Sequence, residues 1–263
     1  MKIGFIGCGN MASGMIRGIL ASGLAGRNDL AASARTQQSR DRIREELGIQ
    51  CASNEEIASS SDLLFLTVKP QGYEGVIAGI RGLVKDSAVL VSIAPGKSLA
   101  WLKEQFRRDL KMVRAMPNTP ALVGAGMSGI TPNELVTEAE LETVLSLFRS
   151  FGHALTVPEH LLDVVTAVSG SSPAYVFLFI EAMADGAVAG GMPREQAYQF
   201  AAQAVLGSAR MVLETGMHPA SLKDMVCSPG GTTIEAVRVL EEKGLRSSVI
   251  EAELACLRRA REM

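Results

Sequence analysis

Short, continuously apolar runs alternate with amphipathic segments along the first half of the chain. The runs that predict strands are Lys2–Ile6, Leu30–Ala34, Leu63–Val68, Val89–Ile93 and Met112–Ala115. The segments between them that predict helices are Met11–Ser22, Ser39–Leu47, Tyr73–Ile80 and Ser98–Arg107. Strands that are apolar at every position are typical of a sheet covered on both faces. The alternation therefore predicts an α/β fold with a doubly wound parallel sheet.

The pattern becomes helical after Pro158. Just before it, the strand-like runs Met127–Ile130 and Leu155–Val157 flank a predicted helix at Thr137–Ser150. The helices predicted after it are Glu159–Val168, Ala174–Ala189, Arg194–Leu213, Ser221–Cys227, Thr232–Lys243 and Leu245–Arg261. Proline fits the first turn of a helix, so Pro158 is expected to open this series. We predict a sheet domain at residues 1–155 and an all-helical domain at residues 156–263.

The helical half is apolar on more than one helix face. Its most apolar stretch, Pro173–Met192, contains Glu181 and Asp185, whose charges are costly inside a bilayer. We therefore expect a buried helix rather than a membrane span. A small bundle with this much apolar surface needs a partner, and the economical partner is a second copy of the chain. The sequence predicts a homo-oligomer, at least a dimer.

Composition and charge argue against several classes of partner. The formal net charge of −2 and the absence of a Lys/Arg stripe give no reason to expect nucleic acid. The 4 cysteines and 3 histidines are scattered, so no metal site is expected. No signal peptide or other targeting segment is recognisable, which favours a cytoplasmic protein without a membrane partner. A small-molecule substrate remains the expected partner.

A glycine-rich motif follows the first predicted strand. Gly7, Gly9 and Ala12 fit the Gly-x-Gly-x-x-Gly/Ala pattern, with Asn10 and Met11 between them. The first glycine allows a tight turn, the second lets the backbone approach a pyrophosphate, and the small third residue allows close helix–strand packing. Helix N-termini bind phosphate through free amides and a positive dipole end. At a first strand–helix junction, this motif predicts a Rossmann-type dinucleotide site; a tight turn without a ligand is the alternative.

The end of the second strand indicates which dinucleotide is bound. NAD enzymes usually carry an acidic residue here for the ribose hydroxyls, but this chain has Ser33, Ala34, Arg35 and Thr36. Arg35 can pair with a 2′-phosphate, and Ser33 or Thr36 can add a hydroxyl donor. The alternative is that Arg35 is an ordinary solvated arginine. We predict NADP as the cofactor, with NADPH preferred over NADH.

Other strand ends should line the same crevice, because ligands bind at the carboxyl ends of parallel strands. The candidates there are Val68, Lys69, Pro70, Ala94, Met116, Pro117 and Asn118. Asn54 is expected as the N-cap of a following helix. The alternative is that these are ordinary turns without a ligand, because proline and glycine are common where strands end.

The helical half contains one unusual turn, Ser228-Pro229-Gly230-Gly231-Thr232-Thr233. It lies between two predicted helices and ends at the N-terminus of the second. Amides and hydroxyls gathered there can form an anion-binding nest for a small carboxylate. A plain turn with an N-cap threonine is equally compatible with this segment alone.

Motifs spread along the chain resemble those of the pyrroline-5-carboxylate reductase family. They are the glycine-rich motif, Val68-Lys69-Pro70-Gln71, Met116-Pro117-Asn118-Thr119-Pro120, Ser169-Gly170-Ser171 with Pro173-Ala174-Tyr175, and the run from Pro219 to Val237. They occur in the family's order. The resemblance implies an NADP-binding Rossmann domain, a helical dimerisation domain and reduction of the cyclic imine 1-pyrroline-5-carboxylate to proline.

The resemblance also implies roles for individual residues. Those that would hold the substrate carboxylate are Ser228, Gly230, Gly231, Thr232 and Thr233, and Thr233 would also lie near the ring nitrogen as the catalytic residue. Those that would touch the cofactor are Ala34, Arg35, Asn54, Lys69, Ala94 and Asn118. No histidine or acidic pair occupies a predicted crevice position. An imine needs little acid–base machinery, because protonation of its nitrogen already makes its carbon electrophilic.

Two other functions remain compatible with the sequence. A β-hydroxyacid dehydrogenase of similar two-domain plan would need a lysine facing the substrate from the helical domain, and Lys223 is the nearest candidate. A non-catalytic NADP-binding sensor would keep the glycine-rich motif without needing the Ser228–Thr233 turn.

Overall fold

In the computed structural model, residues 1–262 are described, and the chain divides into two compact units. The first unit comprises Met1–Ser171 together with the C-terminal residues from Cys256 onward. The second comprises Ser172–Ala255. The predicted boundary at residues 155–156 divides the chain by function and not by compactness. The two compact units therefore do not test it, and it stays a prediction.

The first unit contains an eight-stranded sheet in the order β3-β2-β1-β4-β5-β6-β7-β8. The strands are β1 (Ile3–Ile6), β2 (Leu30–Ser33), β3 (Gln50–Cys51), β4 (Leu63–Leu66), β5 (Val89–Ser92), β6 (Lys111–Met116), β7 (Gly126–Pro132) and β8 (Gly152–Thr156). All neighbours are parallel except β6 and β7. The strand order reverses between β1 and β4, which confirms the doubly wound sheet.

Alternate residues of the central strands enter two separate cores. Phe5 of β1 stacks on Phe65 of β4, with ring centroids 4.6 Å apart, on one face of the sheet. Ile6 and Leu66 are buried in the core on the other face. Because both faces are covered, every residue of β1 and β4 is buried, and this explains their uninterrupted apolar sequence. The short strand β3 lacks such a run and was not predicted.

The helices of the first unit mostly begin within two residues of the predicted positions. They are α1 (Asn10–Ser22), α2 (Gln37–Arg42), α3 (Asn54–Ser60), α4 (Tyr73–Ile80), α5 (Leu99–Phe106), α6 (Glu138–Arg149) and α7 (Leu162–Val165). The helix predicted at Ser39 begins earlier because Thr36 caps it by accepting a hydrogen bond from the Ser39 amide. It continues as a π-helical turn at Ile43–Leu47.

The expectation that Asn54 is an N-cap is wrong. Ser53 is the N-cap of α3: its hydroxyl accepts from the Glu56 amide at 3.1 Å, and Glu56 accepts from the Ser53 amide at 2.9 Å. This is a capping box, in which two otherwise unpaired amides are satisfied reciprocally. Asn54 is therefore the first residue of the helix, and its side chain is not used as a cap.

The chain after Pro158 forms a 3₁₀ turn at Glu159–Leu161, then α7, and then a π-helical segment at Thr166–Ser171. Pro158 precedes this turn rather than standing inside it. The helix predicted to end at Val168 is longer than expected, because the helical run continues through Ser171 into the following helix. Buried Arg114 of β6 anchors it through ion pairs to Glu159 at 3.3 Å and Asp163 at 3.5 Å.

The second unit is entirely helical over its described residues. Its helices are α8 (Ser172–Ala189), α9 (Arg194–Thr215), α10 (Pro219–Val226) and α11 (Thr232–Glu242), and α12 (Leu245–Arg261) begins in it and ends in the first unit. Its buried cluster contains Ala184, Ala197 and Ala201, with a few larger side chains packed against it. Small alanines bury little apolar area, so this unit has little hydrophobic core of its own.

The expectation that Pro173–Met192 forms a buried helix is wrong for the single chain. Phe177 and Leu178 of α8 are 64% and 66% exposed, and Ala184 is its one buried residue. The continuous helical run Glu159–Ala189 is long and apolar enough to cross a membrane by length and composition alone. The same properties fit a helix whose apolar face is covered by another copy of the chain.

Candidate active site

The glycine-rich turn has the geometry of a phosphate-binding loop. Gly7 adopts a φ of +95°, and a Cβ there would come within 2.8 Å of the Val68 side chain. Gly9 is the N-cap of α1, and a Cβ there would meet nothing within 4 Å. Gly9 therefore borders open space, while Ala12 is buried below it. No side chain caps α1, so its first amides remain available to a ligand.

Two residues distant in sequence hold the carbonyls of this turn. Arg42 donates from Nη2 to the Cys8 carbonyl at 2.7 Å, and Thr67 donates to the Gly7 carbonyl at 2.6 Å. Because a trans peptide directs its C=O and N–H in opposite directions, fixing the Cys8 carbonyl also fixes the Gly9 amide. Burial raises the pKa of the Cys8 thiol, which favours the uncharged form. Sequence reasoning missed both Arg42 and Thr67.

The hydroxyls near the end of β2 already have partners within the protein. Ser33 is buried and accepts a hydrogen bond from the Gly7 amide at 3.1 Å. Thr36 donates to the Ser39 hydroxyl at 2.9 Å while it caps α2. The Thr36 proton is therefore engaged within the protein, whereas Ser33 is used here as an acceptor and its own proton is not engaged by this bond. Arg35 is exposed between them.

The strand ends bring the predicted cofactor residues to one edge of the sheet. The strands β1, β2, β3, β4, β5 and β6 are parallel, so their carboxyl ends share that edge. The residues that follow them there are Ala34, Asn54, Val68, Lys69, Pro70, Ala94, Pro117 and Asn118, and Met116 ends β6 itself. Ala94 and Pro117 are buried, whereas Lys69 is exposed.

A buried tyrosine fixes the end of β4 at this edge. Tyr73 donates to the Leu66 carbonyl at 2.6 Å and accepts from the Ser92 hydroxyl at 3.3 Å. Burial raises the pKa of Tyr73 to about 12, so the phenol keeps its proton and remains a donor. The turns that follow β4 and β5 are thereby tied together.

Asn118 has a structural role at the end of β6. Its Nδ2 donates to the Ser169 carbonyl at 2.9 Å, and its Oδ1 accepts from the Met127 amide at 2.8 Å. The side chain is buried. It joins the Met116–Pro120 motif to the Ser169–Ser171 motif, both of which lie in the first unit.

In the second unit, Ser228–Gly231 forms a tight turn ahead of α11. The Gly231 amide donates to the Ser228 carbonyl at 3.0 Å, and Gly230 adopts a φ of +65°. A Cβ on Gly231 would come within 2.3 Å of the Ser228 hydroxyl oxygen. Both positions therefore need glycine, and the turn brings the Ser228 hydroxyl close to the start of α11.

Thr232 and Thr233 are the first two residues of α11, whose N-cap is Gly231. No side chain caps this helix, so the alternative that Thr233 serves as an N-cap is wrong. In the described chain, the Thr233 hydroxyl makes no hydrogen bond, and the residue is half-buried. Its hydroxyl and the first helix amides are available to an anion.

Comparison with known proteins gives matches for both parts of the chain. Residues 159–263 match the family model of pyrroline-5-carboxylate reductase dimerisation, and residues 2–96 match that of coenzyme F420-dependent NADP oxidoreductases. A pyrroline-5-carboxylate reductase of Escherichia coli (strain K12) is 52% identical over 263 residues, which cover 100% of this chain and 98% of that protein.

Solved structures extend the similarity to the fold. The pyrroline-5-carboxylate reductase of Coxiella burnetii is 35% identical with a TM-score of 0.92, over 99% of this chain and 97% of that one. The pyrroline carboxylate reductase of Plasmodium falciparum, solved with NADP bound, is 31% identical with a TM-score of 0.89, over 100% of this chain and 97% of that one.

Proposed function

The chain belongs to the pyrroline-5-carboxylate reductase family, and from that premise we propose that it reduces 1-pyrroline-5-carboxylate to L-proline with NADPH as the hydride donor. The observation that carries this proposal is the 52% identity to the Escherichia coli enzyme over the whole chain. A match of that extent includes both the glycine-rich turn and the Ser228–Thr233 turn. The first would bind the dinucleotide and the second the substrate.

The residues at the glycine-rich turn fit a dinucleotide pyrophosphate. Open space beside Gly9 admits the phosphates, and the uncapped amides at Asn10 and Met11 can donate to them. The residues proposed to contact the rest of the cofactor are Gly7, Ala12, Ala34, Arg35, Asn54, Val68, Lys69, Pro70, Ala94, Met116, Pro117 and Asn118. When bound, NADPH supplies a hydride from C4 of its nicotinamide.

Arg35 is proposed to select NADPH over NADH. It is exposed just after β2, and Ser33, Ala34 and Thr36 around it include no acidic residue for a ribose 2′-hydroxyl. A guanidinium pairs well with the 2′-phosphate that only NADP carries. The buried Ser33 hydroxyl accepts from the Gly7 amide and so supports the glycine-rich turn.

The turn before α11 is proposed to hold the substrate carboxylate. Free amides at Thr232 and Thr233, the Ser228 hydroxyl and the positive end of the helix dipole all favour an anion there. Gly230 and Gly231 shape the turn, and a Cβ on Gly230 would meet nothing within 4 Å, so the backbone there is accessible. With the carboxylate fixed, the Thr233 hydroxyl can form a hydrogen bond with the ring nitrogen.

The chemistry then needs orientation more than acid–base catalysis. Protonation of the imine nitrogen makes the adjacent carbon electrophilic, and that carbon accepts the hydride while the π electrons of the C=N bond pass to nitrogen. The product is the secondary amine of proline. Thr233 would hold the plane of the imine, and a correctly held reactant gains much of its rate from orientation alone.

Family membership favours this reaction over the two alternatives. A β-hydroxyacid dehydrogenase would oxidise a hydroxyacid, and a sensor would turn over nothing. The discriminating experiment mixes the purified protein with NADPH and 1-pyrroline-5-carboxylate and measures NADPH consumed and proline formed. Equal amounts of both support the proposal. Cofactor binding without proline formation would support the sensor. Absence of proline here, with NADP⁺ reduced when a β-hydroxyacid replaces 1-pyrroline-5-carboxylate, would support the dehydrogenase.

The second unit is proposed to join two copies of the chain, at least as a dimer. Its own core is small, large apolar side chains such as Phe177 and Leu178 are exposed, and residues 159–263 match the dimerisation model. On the same basis we propose an NADP-binding domain at residues 1–155 and a dimerisation and substrate domain at residues 156–263. A cytoplasmic enzyme with no nucleic-acid or membrane partner agrees with this function.

A further inference from the structure

Arg40 is held beside the predicted 2′-phosphate site by a backbone carbonyl. Its Nε donates to the carbonyl of Ala34 at 3.0 Å. Ala34 is the residue that directly precedes Arg35 and directly follows β2. The Arg40 guanidinium is therefore fixed next to the Ala34–Arg35 peptide, although Arg40 lies in α2.

This hydrogen bond uses only one edge of the guanidinium. The two Nη groups make no hydrogen bond or ion pair in the part of the chain that the structure describes, and Arg40 is exposed. A guanidinium carries five N–H donors in a planar fork, so four remain available. These are the donors that bind phosphate oxygens in pairs.

The two other arginines of α2 and the turn after it, Arg42 and Arg44, contact different groups. Arg42 donates to the Cys8 carbonyl at 2.7 Å. Arg44 faces Asp41, with its Nη1 3.9 Å from a carboxylate oxygen, and Asp41 also accepts from Gln37 at 2.8 Å. The acid next to Arg40 in sequence is thus engaged elsewhere. Arg40 and Arg42 are thus both held by a backbone carbonyl without an ion pair in the described chain, but Arg40 is the exposed one and lies beside the Ala34–Arg35 peptide.

The nearby hydroxyls of Ser33 and Thr36 carry no charge, so neither can neutralise a phosphate, and each already makes a hydrogen bond within the protein. Ser33 accepts from the Gly7 amide, and Thr36 donates to Ser39. A 2′-phosphate carries close to two negative charges near neutral pH and can accept from more than one guanidinium. Arg35 alone would leave part of that charge unpaired.

We infer that Arg40 is a second 2′-phosphate-binding residue and that it determines, together with Arg35, the preference for NADP over NAD. The inference rests on the proposed use of NADP. Arg40 contacts only the group that distinguishes the two dinucleotides. It therefore contributes to the affinity for NADP and leaves the affinity for NAD unchanged.

The test measures binding of NADP⁺ and NAD⁺ by calorimetry, without 1-pyrroline-5-carboxylate. The variant is Arg40→Ala, and the matched control is Arg44→Ala, which removes the same charge from the same segment. We expect Arg40→Ala to weaken NADP⁺ binding about tenfold or more and NAD⁺ binding by less than about twofold. Arg44→Ala should change both by less than about twofold.

A second variant and a fragment ligand sharpen the result. Arg40→Lys keeps the charge without the planar fork and should recover part of the NADP⁺ affinity. Adenosine 2′,5′-bisphosphate should show the same loss with Arg40→Ala as NADP⁺, because it carries the 2′-phosphate without the nicotinamide. Melting curves of each variant establish that the fold is retained.

Three outcomes would overturn the inference: unchanged NADP⁺ binding in Arg40→Ala, equal losses for NADP⁺ and NAD⁺, or an equal loss of NADP⁺ binding in Arg44→Ala. Wild-type protein that binds neither dinucleotide would overturn it as well. Failure of the proposed function is seen separately, as wild-type protein that binds NADP⁺ with this selectivity but forms no proline.

Discussion

The side-chain amide of Asn118 donates to the backbone carbonyl of Ser169 at 2.9 Å. Ser169 lies in the π-helical segment Thr166–Ser171, four residues before Pro173. Proline has no N–H, so this carbonyl lacks the donor that a helix normally supplies four residues later. Asn118 supplies one from another part of the chain and connects the end of β6 to this helical segment.

Replacing Asn118 should therefore cost stability. Asn118→Ala leaves the Ser169 carbonyl and the Met127 amide without their partner, and each such loss costs about 1–3 kcal/mol. Asn118→Asp keeps the acceptor for Met127 but places a carboxylate against the Ser169 carbonyl. Urea denaturation should show both variants clearly less stable than the parent protein. Unchanged midpoints would contradict a structural role and leave Asn118 as a cofactor contact alone.

Alanine substitutions at Gly7 and Gly9 should have different effects, the first on the stability of the fold and the second on cofactor binding. Gly9 has a φ of −82° with open space at its Cβ position, so Gly9→Ala should leave the melting temperature nearly unchanged. The added methyl should obstruct the pyrophosphate and weaken NADP⁺ binding about tenfold or more. Gly7→Ala should instead destabilise the fold by more than about 1 kcal/mol, because φ is +95° and Val68 is in the way. The reverse pattern would refute the assigned roles.

Arg35→Ala should narrow the preference for NADPH over NADH. Removing a charge-assisted hydrogen bond to the 2′-phosphate should cost about 1.5–3 kcal/mol of NADPH binding and little for NADH. Titration of both cofactors against the variant and the parent protein measures this. Equal losses for the two cofactors would show that Arg35 does not contact the 2′-phosphate.

The exposed apolar face of the second unit predicts self-association. Sedimentation equilibrium at micromolar concentration should give at least twice the chain mass of 27.9 kDa. Leu178→Arg places a charge on this face, where the leucine is 66% exposed, and should weaken the association. A stable monomer with full activity would contradict the proposed dimer.

Local signals allowed most of the first unit to be predicted from the sequence. The apolar strands and the glycine-rich turn depend on a few adjacent residues, so their positions could be read directly. The choice between Ser53 and Asn54 as N-cap was harder, because both residue types favour that position. Glu56, three residues after Ser53, is the signal that distinguishes them.

Contacts between distant segments could not be predicted in this way. Arg42 holds the carbonyl of Cys8, 34 residues earlier, and Thr67 holds that of Gly7, 60 residues earlier. Neither residue belongs to a motif, since any long or hydroxylated donor in the right place would serve. The exposure of α8 was missed for another reason: its apolar sequence indicates that the helix is covered, but not whether its own chain or a second copy covers it.

The central claim is that the turn before α11 holds the substrate, with Thr233 orienting the imine. The Thr233 hydroxyl has no hydrogen-bond partner in the described chain, and the N-cap of α11 is Gly231. Removing the Thr233 hydroxyl should therefore affect stability little. The most direct measurement is the steady-state kinetics of Thr233→Ala and Thr233→Ser with 1-pyrroline-5-carboxylate, together with NADPH binding and a melting curve. The account predicts a fall in turnover equivalent to about 1–3 kcal/mol for alanine, a smaller fall for serine, and unchanged NADPH affinity. Unchanged turnover in a folded Thr233→Ala variant would contradict it.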